Sequence, residues 1–164
     1  MKEINIREIK KSAVELISDG WGLVTAGNEE KFNTMTVSWG GLGEIWGKDA
    51  VFIFIRPQRY TYEFIEKEEF FTLSFFAPEF KDALRLCGSK SGRDTDKVAA
   101  TGLAPLFVDG TVAFEQAEYI VVCRKMAAQF MNPDGFVDPS IESNYANKDY
   151  HKVYVGEIIK VYEK

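Results

Sequence analysis

Cysteine is nearly absent from this chain: Cys87 and Cys123 are the only two in 164 residues. That is too few for a disulfide framework, and their spacing fits no zinc-ligand pattern, so no metal is expected. Histidine is scarcer still, with His151 alone. No uninterrupted apolar run approaches the roughly 20 residues that cross a bilayer as a helix. The first residues, Met1-Lys2-Glu3-Ile4-Asn5-Ile6-Arg7, carry charges where a secretion signal needs an apolar core. A soluble protein with a cytoplasmic location, away from membranes, is the expectation. Positive charge is also in short supply. The formal net charge of −5 argues against a general nucleic-acid binder, which needs a basic face to displace counterions. There is no P-loop, no ordered Ser-His-Asp set and no catalytic carboxylate dyad; the pairs Glu29-Glu30 and Glu68-Glu69 read as solvated turns.

What the chain has is aromatic and β-branched residue in short runs, with aromatics at 14%, a composition that favours strands. Strands are expected over Trp21–Ala26, Thr34–Trp39, Val51–Ile55, Phe70–Phe76, Gln116–Met131 and His151–Tyr162. Short helices are expected over Ser12–Ser18, Tyr60–Lys67, Pro78–Leu86 and Asp94–Ala100, the last capped by Asp94. Asp109-Gly110 between two apolar arms, Leu106–Val108 and Thr111–Ala113, is the strongest hairpin signal. No repeat, low-complexity tract or linker divides the chain, so 1–164 reads as a single domain. Many short strands with few helices point to a mainly β protein, an antiparallel barrel closed or partly closed to remove its edges.

Two stretches carry the chemistry. In Asn33-Thr34-Met35-Thr36-Val37-Ser38-Trp39-Gly40-Gly41, the hydroxyls of Thr34, Thr36 and Ser38 fall on one face of an extended backbone. After the next strand comes Arg56-Pro57-Gln58-Arg59-Tyr60-Thr61. Neutral donors and fixed cations in this combination suit a phosphate-bearing ligand. The plain alternative for the hydroxyl row is the solvent face of an edge strand, and for Arg56 a salt-bridged surface residue.

Those stretches, with Phe70–Phe76, Cys87-Gly88-Ser89-Lys90-Ser91-Gly92-Arg93-Asp94 and His151–Ile158, resemble the flavin reductase-like, FMN-binding split-barrel family over nearly the whole length. The resemblance implies a Greek-key split β-barrel, usually a homodimer, holding FMN non-covalently near the subunit interface. Members reduce flavin with NADH or NADPH, or shuttle electrons through bound FMN as flavoredoxins do.

Carried onto this sequence, the pattern implies that Arg59, the Tyr60 N–H and Thr61 take the phosphate, a dianion near neutral pH. It implies that Thr36, Val37, Ser38 and Trp39 run along the isoalloxazine, with Gly88 allowing close approach and Cys87 lining the slot. Ser91 and Arg93, with Lys97 one turn on, are implied as further phosphate or ribityl contacts. Cys87 read by itself is a small buried apolar residue without a redox role. Trp39 and Trp46 read by themselves are core or interface packing. His151 is either a packing residue or, as in relatives, a group near the open flavin face that orients nicotinamide or gives a proton. The segment 132–149, rich in Asn, Asp, Pro and Ser, is expected to be a lid or dimer arm. Three functions follow: an NAD(P)H-dependent flavin reductase, a flavoredoxin-like carrier without a nicotinamide site, or a flavin-binding module without turnover.

Overall fold

The computed structural model describes all residues, Met1–Lys164. Its strands are β1 (Lys2–Ile4), β2 (Gly22–Gly27), β3 (Phe32–Val37), β4 (Gly40–Ile45), β5 (Lys48–Ile55), β6 (Phe70–Phe75), β7 (Pro105–Val108), β8 (Thr111–Phe114), β9 (Tyr119–Phe130) and β10 (Lys152–Glu163). Its α-helices are α1 (Tyr60–Lys67), α2 (Lys81–Ser89) and α3 (Lys97–Thr101). No helix is long and apolar enough to cross a membrane.

The main sheet runs β3-β2-β6-β9-β10-β5-β4, with β1 added to β10, and every pairing is antiparallel. Its two end strands, β3 and β4, are consecutive in sequence and joined only by Ser38-Trp39. Two connecting residues make three Cα–Cα steps, at most about 11 Å, so the sheet has to curl until its ends meet at that corner. They meet without hydrogen-bonding along their length, which leaves a mainly β, split-barrel fold with a seam beside Ser38-Trp39.

Both faces of the curled sheet are covered. Inside lie Val24, Met35, Val37, Ile53, Phe71, Leu73, Val121 and Tyr154, joined by Leu16 and Ile17. Outside, α2, α3 and the β7–β8 hairpin bury Leu23, Leu84, Cys87, Leu103, Phe114, Ile120 and Val122. Consecutive residues of one strand, such as Val121 and Val122, therefore serve two cores, which is why these strands read as continuous apolar runs.

The hairpin signal forms as expected. Asp109 and Gly110 both take left-handed φ, +46° and +78°, the geometry of a type I′ turn. Helix α1 has the expected limits. Three expectations are corrected. Thr34–Trp39 is not one strand: pairing with β2 stops at Val37 and a new edge strand, β4, starts at Gly40. The helix expected over Asp94–Ala100 is shorter, and its N-cap is Asp96, whose carboxylate accepts from the Ala99 N–H at 3.0 Å. The first helical segment carries a π turn over Glu15–Gly20 and extends past Ser18. The segment 132–149 forms a strap with short 3-10 turns at Pro133–Gly135 and Pro139–Asn144.

Candidate functional site

Beside the seam, two hollows share one residue, Arg59. The first, a cleft of about 200 Å³, is walled by Met35, Thr36, Val37, Ser38, Trp39, Phe54, Arg56, Arg59 and His151. The second, about 120 Å³, is lined by Gln58, Arg59, Tyr60, Thr61, Ser89, Lys90, Ser91, Gly92 and Lys97. The fold thus brings the β3 end and the 56–61 run together, one flat-sided and partly apolar, the other polar and cationic.

The small hollow is built from charges that lack counter-ions. Arg59 donates from Nη2 to the Gly88 carbonyl at 2.7 Å and pairs with no carboxylate. Burial and the neighbouring Arg56 charge lower its pKa from the usual guanidinium value. Lys97 is 6% exposed, and its Nζ donates to the carbonyls of Thr34 (2.7 Å) and Cys87 (2.9 Å). Burial brings its pKa down to about 8, Cys87 opposing it and Arg59 adding the least. An ammonium has three donors, so one remains. Across the hollow, α1 begins at Tyr60; the Tyr62 N–H turns back to the Arg59 carbonyl at 3.0 Å, and the N–H groups of Tyr60 and Thr61 have no backbone acceptor, a partial positive charge that suits anions. Thr61, 1% exposed, accepts from Asn33 Nδ2 at 2.7 Å, which leaves its hydroxyl hydrogen to give. Asn33 fits only because residue 92 is glycine: a Cβ there would lie 2.0 Å from Asn33 Oδ1.

A larger hollow of about 590 Å³ lies on the other side of Asn33 and Gly92. Glu30, Asp94 and Asp96 stand in its wall beside Lys31, Arg93 and Lys97, which lines both hollows, so its charges cancel and it is the poorer anion site.

Several expected contacts are placed elsewhere. The hydroxyl row is occupied by the protein itself. Thr34 Oγ1 bonds the Val24 carbonyl (3.2 Å) and the Thr25 hydroxyl (2.9 Å), and Thr36 Oγ1 donates to the Leu84 carbonyl of α2. Ser38 alone keeps a hydroxyl open to the cleft. The Cys87 side chain is buried in the outer core, away from the slot, and burial pushes its thiol pKa up. Gly88 presses on Thr36, where a Cβ would lie 3.2 Å from Thr36 Cβ, and it lines neither hollow. The Arg93 guanidinium is committed to Glu63 and the Gln58 carbonyl and stacks 4.7 Å over the Tyr60 ring, so it braces the phosphate-side loop from outside. Ser91 lines the small hollow while its Oγ accepts from the Arg93 N–H at 3.2 Å. Arg56 takes its salt-bridge alternative: it binds Asp149 at 2.6 Å and the Asn144 carbonyl at 2.8 Å, which ties the strap to the mouth of the cleft. Trp46 is exposed on the β4–β5 hairpin, outside the site.

In the cleft, Trp39 is a half-exposed wall, and His151 packs 5.1 Å from it and edge-on to Phe54. His151 Nδ1 lies 2.8 Å from Tyr145 Oη. Burial first, then the Arg56 charge, draws its pKa down to about 4, Asp149 opposing, so the ring is neutral at neutral pH. Phe54, Asn33 and Tyr145 were not expected in the site. Only Asn33 left a trace in sequence, as the polar residue that opens the hydroxyl stretch.

Comparison with known proteins places this geometry. Among solved structures the chain is similar to an FMN-binding domain of a flavin reductase-like enzyme from Shewanella baltica OS155, with a TM-score of 0.71 and 17% identity over 99% of this chain and 76% of that one. It is similar to flavoredoxin from Methanosarcina acetivorans, with a TM-score of 0.70 and 18% identity over 100% and 75% of the two chains. An NADH:FAD oxidoreductase of Streptomyces globisporus, solved with NAD and FAD fragments, gives 0.66 and 15% over 88% and 74%. These identities speak for the fold. A comparison with curated proteins finds none that matches. The model of the flavin reductase like domain matches residues 14–164, and the chain belongs to that family.

Proposed function

We propose that this protein binds FMN non-covalently and passes electrons through it, as an oxidoreductase that takes hydride from NADH or NADPH. The observation that carries the reading is the pair Arg59 and Lys97, partly or fully buried beside each other at the start of α1 with no carboxylate between them. Unpaired buried cations are costly, and a phosphate dianion would offset that cost, with the Thr61 hydroxyl and the N–H groups of Tyr60 and Thr61 as further donors. The phosphate hollow meets the cleft at Arg59, so Trp39 and the Thr36–Ser38 backbone are the residues that would hold a ring system joined to that phosphate. FMN, when bound, supplies the hydride chemistry. The chain's own residues hold the phosphate, present backbone amides of Thr36–Ser38 to the ring edge, and keep water from one side with Trp39 and Phe54. His151, uncharged, offers a hydrogen bond without carrying a proton load.

Relatives with similar structures include an NADH:FAD oxidoreductase and a flavoredoxin, and both roles suit a protein that contributes orientation more than acid–base groups. The second reading is an electron carrier without a nicotinamide site. The Arg56–Asp149 tie favours it, because it holds the strap at the mouth where a second ring has to enter. Pairing with a second copy belongs to the proposal, since Trp46 and Val14 leave large apolar surface exposed.

The deciding test is the purified protein: flavin absorbance bands, FMN released on denaturation, and oxidation of NADH or NADPH under air with added FMN. Bound FMN that only a low-potential protein donor reduces selects the carrier. A colourless protein that does not take up FMN on titration refutes both readings.

A further inference from the structure

His151 has two ring nitrogens in different surroundings. Nδ1 is turned to the strap, 2.8 Å from Tyr145 Oη. Nε2 has no hydrogen-bond partner and is not among the sealed, unsatisfied polar atoms, while the ring forms part of the cleft wall. Nε2 therefore opens into the cleft. Which nitrogen carries the proton depends on what the Tyr145 hydroxyl does with its single hydrogen. It has two acceptors within reach, His151 Nδ1 and the thioether sulfur of Met131 at 3.7 Å. Imidazole nitrogen is a much stronger acceptor than a thioether, so the hydroxyl donates to Nδ1 and the proton stays on Nε2.

Tyr145 is itself held in place from several sides. The Arg56 guanidinium lies 5.1 Å over its ring and binds the carbonyl of its neighbour Asn144 and the carboxylate of Asp149. The Phe136 ring stacks on it with centroids 5.9 Å apart, and Tyr150 packs at 4.9 Å. The side chain is 4% exposed.

We propose that Tyr145 is a positioning residue: its hydroxyl fixes His151 in the Nε2–H tautomer, so that the strap presents one neutral hydrogen-bond donor to a carbonyl or ring nitrogen of the planar heterocycle in the cleft. The proposal deepens the flavin reading and its functional half rests on it. It also assigns the strap a task other than covering the site. The segment 139–149 sets the donor or acceptor character of the cleft through one buried hydroxyl.

The experiment uses Tyr145→Phe, which removes the hydroxyl and keeps the ring, with Tyr150→Phe as control, because the Tyr150 hydroxyl bonds Glu142 on the surface. Nitrogen-15 NMR of the free protein reads the His151 tautomer without any flavin. The expected result is Nε2–H in wild type and Tyr150→Phe, and a mixture of both tautomers in Tyr145→Phe. With FMN and NADH, turnover of Tyr145→Phe is expected to fall roughly five- to tenfold, the worth of one neutral hydrogen bond, with FMN affinity within about twofold. A wild-type Nδ1–H tautomer, or a Tyr145→Phe protein with unchanged tautomer and turnover, overturns the proposal. Failure of wild type to bind FMN removes the flavin reading and the functional half with it, while the tautomer ratio still decides the positioning half.

Discussion

Replacing Lys97 by methionine separates what this side chain does for the fold from what it does for a ligand. Methionine keeps an unbranched chain of similar length and removes the charge. In the ligand-free protein the ammonium titrates near pH 8 instead of 10.5, chiefly because it is buried. Holding it charged at pH 7 therefore costs the fold roughly 3 kcal/mol relative to a solvated lysine. Methionine relieves that cost but leaves the Thr34 and Cys87 carbonyls without their donor, a loss of about 1 kcal/mol each. The variant should thus be more stable than wild type at pH 7 by about 1 kcal/mol, or a few degrees in melting temperature. The sign with pH follows from a folded-state pKa below the unfolded one: the unfolded chain binds more protons between pH 8 and 10.5, so wild type gains stability across that window and the difference reverses. FMN affinity should move the other way, ten- to hundredfold weaker at pH 7, since a hydrogen bond to a charged group is worth about 1.5–3 kcal/mol. Urea melts at two pH values and a fluorescence-quenching titration measure both. Lys125 shows the competing role, donating to the Ile65 and Glu66 carbonyls near the end of α1. If Lys97 only caps α2 in the same way, the variant will be less stable at pH 7 and FMN affinity will not change.

The two arginines of the 56–61 run should behave differently. Arg59→Ala is expected to weaken FMN about ten- to hundredfold by titration, whereas Arg56→Ala, which breaks the tie to Asp149, should mainly speed proteolytic cleavage within 132–149. Gly92→Ala drives a Cβ to 2.0 Å from Asn33 Oδ1. Asn33 then releases Thr61, and FMN affinity should drop by about tenfold or more with a stability loss of about 1–3 kcal/mol. Gly156→Ala is a core control: its Cβ would lie 2.5 Å from Phe71 Cζ and 3.0 Å from Cys123 Cβ. It should cost about 1–3 kcal/mol in denaturant melts, with FMN affinity of the folded protein unchanged.

Local signals were legible where local physics decides. Asp109-Gly110 needs left-handed φ at both residues and flanking apolar arms, and Tyr60–Lys67 has helical periodicity between Pro57 and the Glu68-Glu69 break. Strand β4 was not legible, because Gly40, Gly41, Gly43 and Glu44 are poor strand formers that persist there only by pairing with β5. Periodicity put Thr34 and Thr36 on one face, correctly, but could not say what covers that face; α2 does, and takes the Thr36 hydroxyl. Arg59 and Arg93 look alike in sequence. Their difference is that Glu63 meets Arg93 and nothing acidic meets Arg59, a fact of tertiary placement alone.

That difference bears on how the site arose in an acidic protein. The chain has 25 acidic and 20 basic side chains, and carboxylates pair with Arg7, Lys11, Lys48, Arg56, Arg85, Arg93, Arg124, Lys152 and Lys160. Acids are in excess, so a fold selected only for stability has carboxylates to set beside Arg59 and Lys97. Instead both cations are held from behind by the last carbonyls of α2, Cys87 and Gly88, and face the N-terminus of α1, which is itself positive. Three sources of positive potential converge on one hollow and none of the three cancels another. Carbonyls of β3 and α2 offset part of that potential, and on the proposed reading an anion between the two helix ends offsets the rest. On that reading a bound phosphate offsets the electrostatic cost of the empty site, which is why Lys97→Met is expected to raise stability and lower affinity together.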